Sequence, residues 1–370
     1  MKSGILRILL VDDSRLTRRI VADTLAAIPE AEIVGEAANG QECLDFLKEH
    51  GADLIIMDVE MPVMDGISTL KELAQLYPDV RERPSVLMLS VLTQHGALTT
   101  FRALDLGALD FVPKPSPNSG LDLDAIRNIL VARVRGVVQN RAEPASESAA
   151  TFRPALIPVT GAGAGANPGA KPAKDSPRPG GKYDLLVIGC STGGPQALQT
   201  IFRSLPSRFP VPIVIVQHMP PFFTAAFADR LNGLGPLTVV EAISGMSLKP
   251  GHAYLAPGDR HLLIKKNGNE YLTELNDAPP LRAHRPAIDK TLLSAVAQAG
   301  GQVAALIMTG MGRDGVSGME AVAAAGGLTL AQDEASSVVF GMNRRAVEAG
   351  AIYQIVELKN IVEVLSGYFP

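Results

Sequence analysis

Short apolar runs and amphipathic stretches alternate along most of the chain. Residues 5–11, 32–36, 54–57, 86–89 and 110–113 read as short buried strands, with helix-period patterns between them and after the last. Such alternation predicts a parallel sheet wrapped by helices on both faces. The same logic repeats nearer the C-terminus. Strands are expected near 185–189, 212–216, 253–255, 303–308, 328–331 and 353–355, and helices around 196–205, 222–232, 288–299, 316–325 and 342–348. The chain reads as two α/β units.

Residues 141–182 interrupt this pattern. They hold seven prolines and the run Gly161-Ala-Gly-Ala-Gly-Ala, with Phe152 as their single aromatic. Such a segment cannot bury enough apolar surface to offset its ordering entropy, so a flexible or semi-extended tether is expected. The division is therefore a first domain over 1–140, a Pro/Gly/Ala-rich linker over 141–182 and a second domain over 183–370. The linker carries six basic and three acidic residues, whereas 1–140 carries 14 basic and 20 acidic, so the acidic surplus belongs to the first domain.

Composition narrows the setting. A net charge of −4 gives no general electrostatic case for nucleic acid or an anionic membrane surface. Two cysteines, Cys43 and Cys190, exclude a disulfide framework and fit a reducing compartment. Arg7 and the aspartates interrupt the N-terminal apolar run, which reads as a first strand and not a signal peptide. No apolar stretch reaches the length of a membrane span. A cytoplasmic protein without membrane insertion is expected.

In open parallel sheets, ligands bind outside the carboxyl ends of the strands. Asp12 and Asp13 end the first strand, Asp58 the third, Ser90 the fourth and Lys114 the fifth. Three carboxylates at one rim repel each other unless a cation sits among them, and hard oxygen ligands suit Mg²⁺. Lys114 supplies a point charge for a phosphoryl group, and Asp58 is a candidate acceptor. Taken singly, each aspartate also fits a helix cap. The set Val11-Asp-Asp-Ser, Met57-Asp-Val-Glu-Met-Pro, Met64-Asp-Gly and Pro113-Lys-Pro resembles the response-regulator receiver family over roughly residues 5–125. That resemblance implies a flavodoxin-like fold with a five-stranded parallel sheet. It also implies Mg²⁺ held by Asp12 and Asp13 with the Glu60 backbone carbonyl, and phosphorylation of Asp58 by a histidine kinase. Ser90 and Lys114 would contact the phosphate, and Phe111 stands where the family often has a switch tyrosine.

In the second unit, the strand pattern Leu185 to Ile188 runs into Gly189-Cys-Ser-Thr-Gly-Gly-Pro, and a helical pattern follows from Gln196. Ser191 is thereby placed at a sharp strand-to-helix turn, its hydroxyl exposed beside the positive end of a helix. Phosphate-binding turns and plain tight turns share this pattern. His218 ends another buried strand pattern and falls on the same rim, as a base would, or as a helix cap. His252, His261 and His284 fall in loop-like or mixed segments. Asp314, in the glycine-rich loop after a further strand, is a candidate partner for the imidazole or an N-cap for the helix that follows. Backbone N–H groups of that loop, Met311 in particular, suit an oxyanion hole. Cys190 reads as a small buried side chain pointing away from the site.

Gly189-Cys-Ser-Thr-Gly-Gly-Pro, Gln217-His-Met-Pro, His284-Arg-Pro and Thr309-Gly-Met-Gly-Arg-Asp-Gly resemble the catalytic domain of the chemotaxis protein-glutamate methylesterases (CheB family) over about 183–370. Receiver, linker and this domain in that order are the family's architecture. The resemblance implies a doubly wound α/β methylesterase domain with Ser191, His218 and Asp314 as a triad, and Thr192 and Met311 lining the site. It implies hydrolysis of glutamate γ-methyl esters and deamidation of particular glutamines on methyl-accepting chemotaxis receptors, with no cofactor in the catalytic site. A chemotaxis histidine kinase would be the phosphodonor. The chain departs from the family's pattern at Cys190, at Arg313 and in its long linker. Two other readings are a receiver-gated hydrolase of a different cytoplasmic ester and a phospho-switched binding protein with a vestigial site.

Overall fold

The computed structural model describes residues 5–79, 82–91, 93–114, 123–142 and 181–369. The first sheet contains β1 (Leu6–Val11), β2 (Ala31–Ala37), β3 (Leu54–Asp58), β4 (Ser85–Ser90) and β5 (Asp110–Pro113) in the order β2-β1-β3-β4-β5, all parallel. Helices α1 (Arg15–Leu25), α2 (Gly40–Glu49), α3 (Gly66–Leu76), α4 (Gln94–Asp105) and α5 (Leu123–Ala142) cover its two faces. Short polar caps fix where the first four begin. Ser14, Asn39, Asp65 and Thr93 each accept a hydrogen bond from the backbone N–H three residues on. Helix α5 continues through Ala142, so the expected domain boundary at 140 falls inside it. The remainder of the expected tether, 143–180, lies outside the described residues.

The second sheet is built on β6 (Leu185–Cys190), buried at every position because helices cover both its faces. It is followed by α6 (Gly194–Ser204), β7 (Ile213–Gln217), α7 (Phe223–Asn232), β8 (Thr238–Glu241) and β9 (His252–Leu255). Then come the pair β10 (His261–Asn267) and β11 (Glu270–Asn276), α8 (Ile288–Ala299) and β12 (Val303–Ile307). The chain ends with α9 (Val316–Ala324), β13 (Leu328–Gln332), α10 (Met342–Glu348), β14 (Gln354–Val356) and α11 (Ile361–Tyr368). The seven-stranded order is β14-β13-β12-β6-β7-β9-β8, with every pairing parallel. From β6 the chain winds one way through β7 and then returns to lay β12 on the other side. The doubly wound expectation holds, and the switch point lies between β6 and β12.

Strand β8, the β10–β11 hairpin and α11 are not in the sequence reading. The hairpin signal is present in retrospect. Asn267-Gly-Asn separates two alternating stretches, and Gly268 takes the positive φ of 59° that such a turn needs.

The two units share one apolar cluster. Phe111 on β5 stacks on Phe223 at 4.5 Å between ring centroids, and Phe101 on α4 stacks on Phe227 at 5.3 Å. Gln196 Nε2 donates to the carbonyls of Leu104 (2.9 Å) and Ala108 (2.8 Å), and Arg230 pairs with Asp105.

Candidate active site

Register brings the catalytic candidates together. Cys190 pairs with Gln217 across β6 and β7, so Ser191 and His218 are the next residues on neighbouring strands. Ile307 pairs with Gly189, which places the loop after β12 on the other side of Ser191. The fit is tight enough to demand glycine at 310, since a Cβ there would lie 2.7 Å from that of Ser191. Met311 follows directly. Gly193, at φ 76°, turns the chain sharply into α6, and the Ser191 carbonyl accepts from Gly194 N–H at 2.8 Å.

His218 Nε2 lies 2.7 Å from Asp314 Oδ2, and both side chains are buried. Asp314 does not cap α9, which begins after Gly315. Its carboxylate instead accepts from the N–H groups of Ile288 (2.7 Å) and Asp289 (3.1 Å) at the start of α8, and from that of the adjacent Gly315 (3.0 Å). Burial works to raise this carboxyl, but the bond from His218 and the α8 amides outweigh it and hold it at about 2. An ionised acid is thus fixed against the imidazole. Arg313 is exposed; its carbonyl accepts from Arg282 at 3.2 Å.

Cys190 is wholly buried, its thiol 3.1 Å from Gln217 Oε1, and burial pushes its ionisation far up. A thiol in that state is no nucleophile.

The Ser191 hydroxyl, expected to be exposed, is covered. Ser191 is 1% exposed because Arg133 on α5 of the first domain lies against it. Arg133 Nη1 donates to Ser191 Oγ at 3.1 Å and to Thr192 Oγ1 at 2.7 Å, while Nε lies 2.9 Å from buried Asp110 at the head of β5. His218 Nδ1 is buried and has no hydrogen-bond partner among the described residues. Gly136, one turn along α5, faces Met311: a Cβ there would be 3.3 Å from its Sδ. Sequence reading missed Arg133, since nothing local to α5 says that it meets the other domain.

It also missed His284. The imidazole of His284 lies parallel to that of His218, with centroids 3.9 Å apart and planes within 5°. The His284-Arg-Pro motif was visible, but its segment has no strand period to place it on the rim. His252 opens β9 and buried His261 opens β10, where its Nδ1 accepts from Ala287 N–H at 3.2 Å.

At the rim of the first sheet, Asp12, Asp13 and Asp58 bring ligand oxygens within 4.8 Å of one another. Lys114 Nζ lies 2.6 Å from Asp58 and 3.0 Å from Asp12. Burial raises Asp58 to about 6 and lifts Asp12 as well, against the pull of Lys114. Glu60, two residues after Asp58, is exposed. Ser90 Oγ is turned toward α4, accepting from Thr100 Oγ1 at 2.7 Å and donating to the Gly96 carbonyl at 3.3 Å. Phe111 points the other way, into the domain interface.

Residues 186–365 match the CheB methylesterase family, and residues 8–125 match the response regulator receiver domain. The chain is 40% identical over 361 residues to the protein-glutamate methylesterase/protein-glutamine glutaminase of Paraburkholderia xenovorans, covering 95% of this chain and 93% of that protein. It is 39% identical over 356 residues to the protein of the same name from Escherichia coli K12, covering 96% and 95%. Among solved structures, the CheB methylesterase catalytic domain of Thermotoga maritima is 42% identical, spanning 50% of this chain and 97% of that one, with a TM-score of 0.49.

Proposed function

The chain belongs to the CheB methylesterase family, and from that premise we propose how its own residues carry the reaction. It is a protein-glutamate methylesterase and protein-glutamine glutaminase of chemotaxis, with a receiver domain that puts the hydrolase under phosphorylation control. The family implies chemoreceptors as substrates and the receiver a kinase as phosphodonor. Finer assignments follow as our reading: methylated helices of methyl-accepting chemotaxis receptors on the cytoplasmic side, and a chemotaxis histidine kinase. No helix among the described residues is long and apolar enough to cross a membrane. Residues 1–142 act as the switch, 183–370 as the enzyme, and the chain between them as the tether that keeps them together.

Ser191 is the nucleophile. Its Oγ attacks the γ-carbonyl carbon of a glutamyl methyl ester as its proton passes to His218. Asp314 holds the imidazole and stabilises the imidazolium. Backbone N–H groups at the start of α6 and at Met311, with Thr192 beside them, face the developing oxyanion. Collapse expels methanol, which takes the proton from His218. Water, deprotonated by the same base, then releases the glutamate. With a glutaminyl side chain the leaving group is ammonia. The observation that carries this reading is the buried His218–Asp314 pair at the end of the strand beside Ser191.

In the receiver, the cluster of carboxylate oxygens, with Asp12 Oδ2 buried beside Lys114, fits a hard divalent cation. Asp12, Asp13, Asp58 and the Glu60 carbonyl would hold Mg²⁺, which would neutralise charge on a phosphoryl group at Asp58. Asp58 is the acceptor, and Lys114 and Ser90 reorganise around the phosphate. Because Lys114, Phe111 and Asp110 all belong to β5 or its end, that movement loosens Arg133 from Ser191 and Phe111 from Phe223.

The test is methanol release from methylated receptor, and ammonia release from its glutamines, by enzyme treated with a small-molecule phosphodonor. Ser191→Ala serves as the blank. A parent that reacts with a fluorophosphonate at Ser191 yet releases no methanol would be a hydrolase of another ester.

A further inference from the structure

The imidazole of His284 lies flat on that of His218, and nothing in the roles assigned above uses it. The turn that presents it is built at a cost. Leu281 and His284 exchange both backbone hydrogen bonds (3.0 and 2.9 Å), closing a two-residue turn. Arg282 and Ala283 occupy its centre at φ 50° and 67°, a left-handed pair that ordinarily falls to asparagine and glycine. Non-glycine residues keep such dihedrals only where the surroundings over-determine them. Here they do. Arg282 Nη1 donates to Asp289 Oδ2 at 2.8 Å and to the Arg313 carbonyl at 3.2 Å, tying the turn to the loop that carries Asp314. Arg285 forks onto Asp259 at 2.9 and 2.6 Å.

We propose that His284 is a positioning residue: its ring face locks His218 in the one orientation that keeps Nε2 on Asp314 and leaves Nδ1 as the nitrogen that takes the Ser191 proton. This rests on the triad reading above. Rotation of the His218 ring out of the plane would break the 2.7 Å bond to Asp314 and turn Nδ1 away from the serine, and a parallel ring at 3.9 Å blocks it. In the step itself the proton leaves Ser191 Oγ for Nδ1, and the N–H toward Asp314 stays on Nε2. The stacking face also meets the positive imidazolium with a π-cloud. It serves this purpose only while uncharged. The facing His218 imidazole, beside which a second positive charge is disfavoured, then burial, with Arg133 adding and Asp314 opposing, push His284 down to about 3.

The experiment compares full-length parent, His284→Ala and His284→Phe after phosphodonor treatment, by the rate of fluorophosphonate labelling of Ser191 and by kcat and KM for methanol release. Phenylalanine keeps a flat face without ring nitrogens. The alanine variant should lose about 10- to 100-fold in labelling rate and kcat with KM within about twofold, and phenylalanine should recover to within about fivefold of the parent. Should alanine fail to fold, His284→Leu fills the space without a planar face and takes its place. An alanine variant within about twofold of the parent, a phenylalanine variant as slow as alanine, or a loss confined to KM each overturns the positioning role. A parent whose Ser191 does not label overturns the triad reading and this inference together.

Discussion

Replacing Arg133 with alanine should release the nucleophile without separating the domains. The arginine's pair with Asp110 lies within the receiver and survives opening, so only the bonds to Ser191 and Thr192 bear on the closed–open balance. Both come from one nitrogen, one at 2.7 Å and one at 3.1 Å, and count as one strong charge-assisted bond with a weaker companion. Hydrogen bonds to a charged group contribute about 1.5–3 kcal/mol net, so the latch is worth about 2–3 kcal/mol, or about 30- to 150-fold in access to the serine. The stacks of Phe111 on Phe223 and Phe101 on Phe227 remain, and they keep part of the steric cover. Fluorophosphonate labelling of unphosphorylated full-length enzyme should therefore rise by at least about 10-fold, yet stay below that of a chain lacking residues 1–140. Asp110, which burial already raises, takes up a proton when its partner goes, so the receiver still folds. Arg133→Lys separates charge from geometry, since an ammonium lacks the fork that spans Asp110 and Thr192 together. If Arg133→Ala labels at the parental rate while the truncated chain labels fast, the aromatic contacts carry the closure and the latch is wrong.

Three further outcomes are expected. Ser191→Ala should abolish methanol release while Asp58 still accepts phosphate, measured by radiolabel transfer, because the chemistries sit in separate domains. Asp314→Asn should lower kcat by about 10⁴-fold on the precedent of an amide in a protease triad, whereas a loss of a few-fold would reduce Asp314 to a cap for α8. Asp58→Asn should make the enzyme insensitive to phosphodonor and, in metal-free buffer, raise the receiver's thermal midpoint at pH 7.5 by several degrees but hardly at pH 4. An acid raised from 3.8 to about 6 costs about 3 kcal/mol when ionised, and that cost vanishes as falling pH protonates the folded form first.

The strands and the rim positions were legible because each is a local signal. A run such as Leu185 to Ile188 must be buried on both faces, and the residue at its carboxyl end then falls where a doubly wound sheet binds ligands. That reasoning reached Ser191, His218, Asp314 and the acidic pocket without knowing how the strands pair. It could not reach Arg133 or His284. Arg133 sits among ordinary helix residues, and its role depends on α5 lying across the other domain. His284 sits on a turn whose left-handed residues, arginine and alanine, carry none of the usual turn chemistry. Ser191 itself was misjudged as exposed for the same reason: its cover comes from a residue 58 positions away.

Closure by Arg133 acts on chemistry as well as on access. A plain steric cover would leave Ser191 Oγ free to hydrogen-bond its base, ready to react with anything small enough to enter. In the closed molecule the hydroxyl instead accepts from a guanidinium, and His218 Nδ1 is left buried with no partner among the described residues. Under the proposed triad, the closed molecule therefore holds nucleophile and base uncoupled. Because the guanidinium is anchored to Asp110 on β5, three residues before its end and four before Lys114, the strand that senses Asp58 at one end restrains the nucleophile at the other. Under the proposed triad and switch, a shift of β5 that withdraws the guanidinium is the step that lets Ser191 reach His218, and loosening of the Phe111–Phe223 stack then opens the way for a receptor side chain.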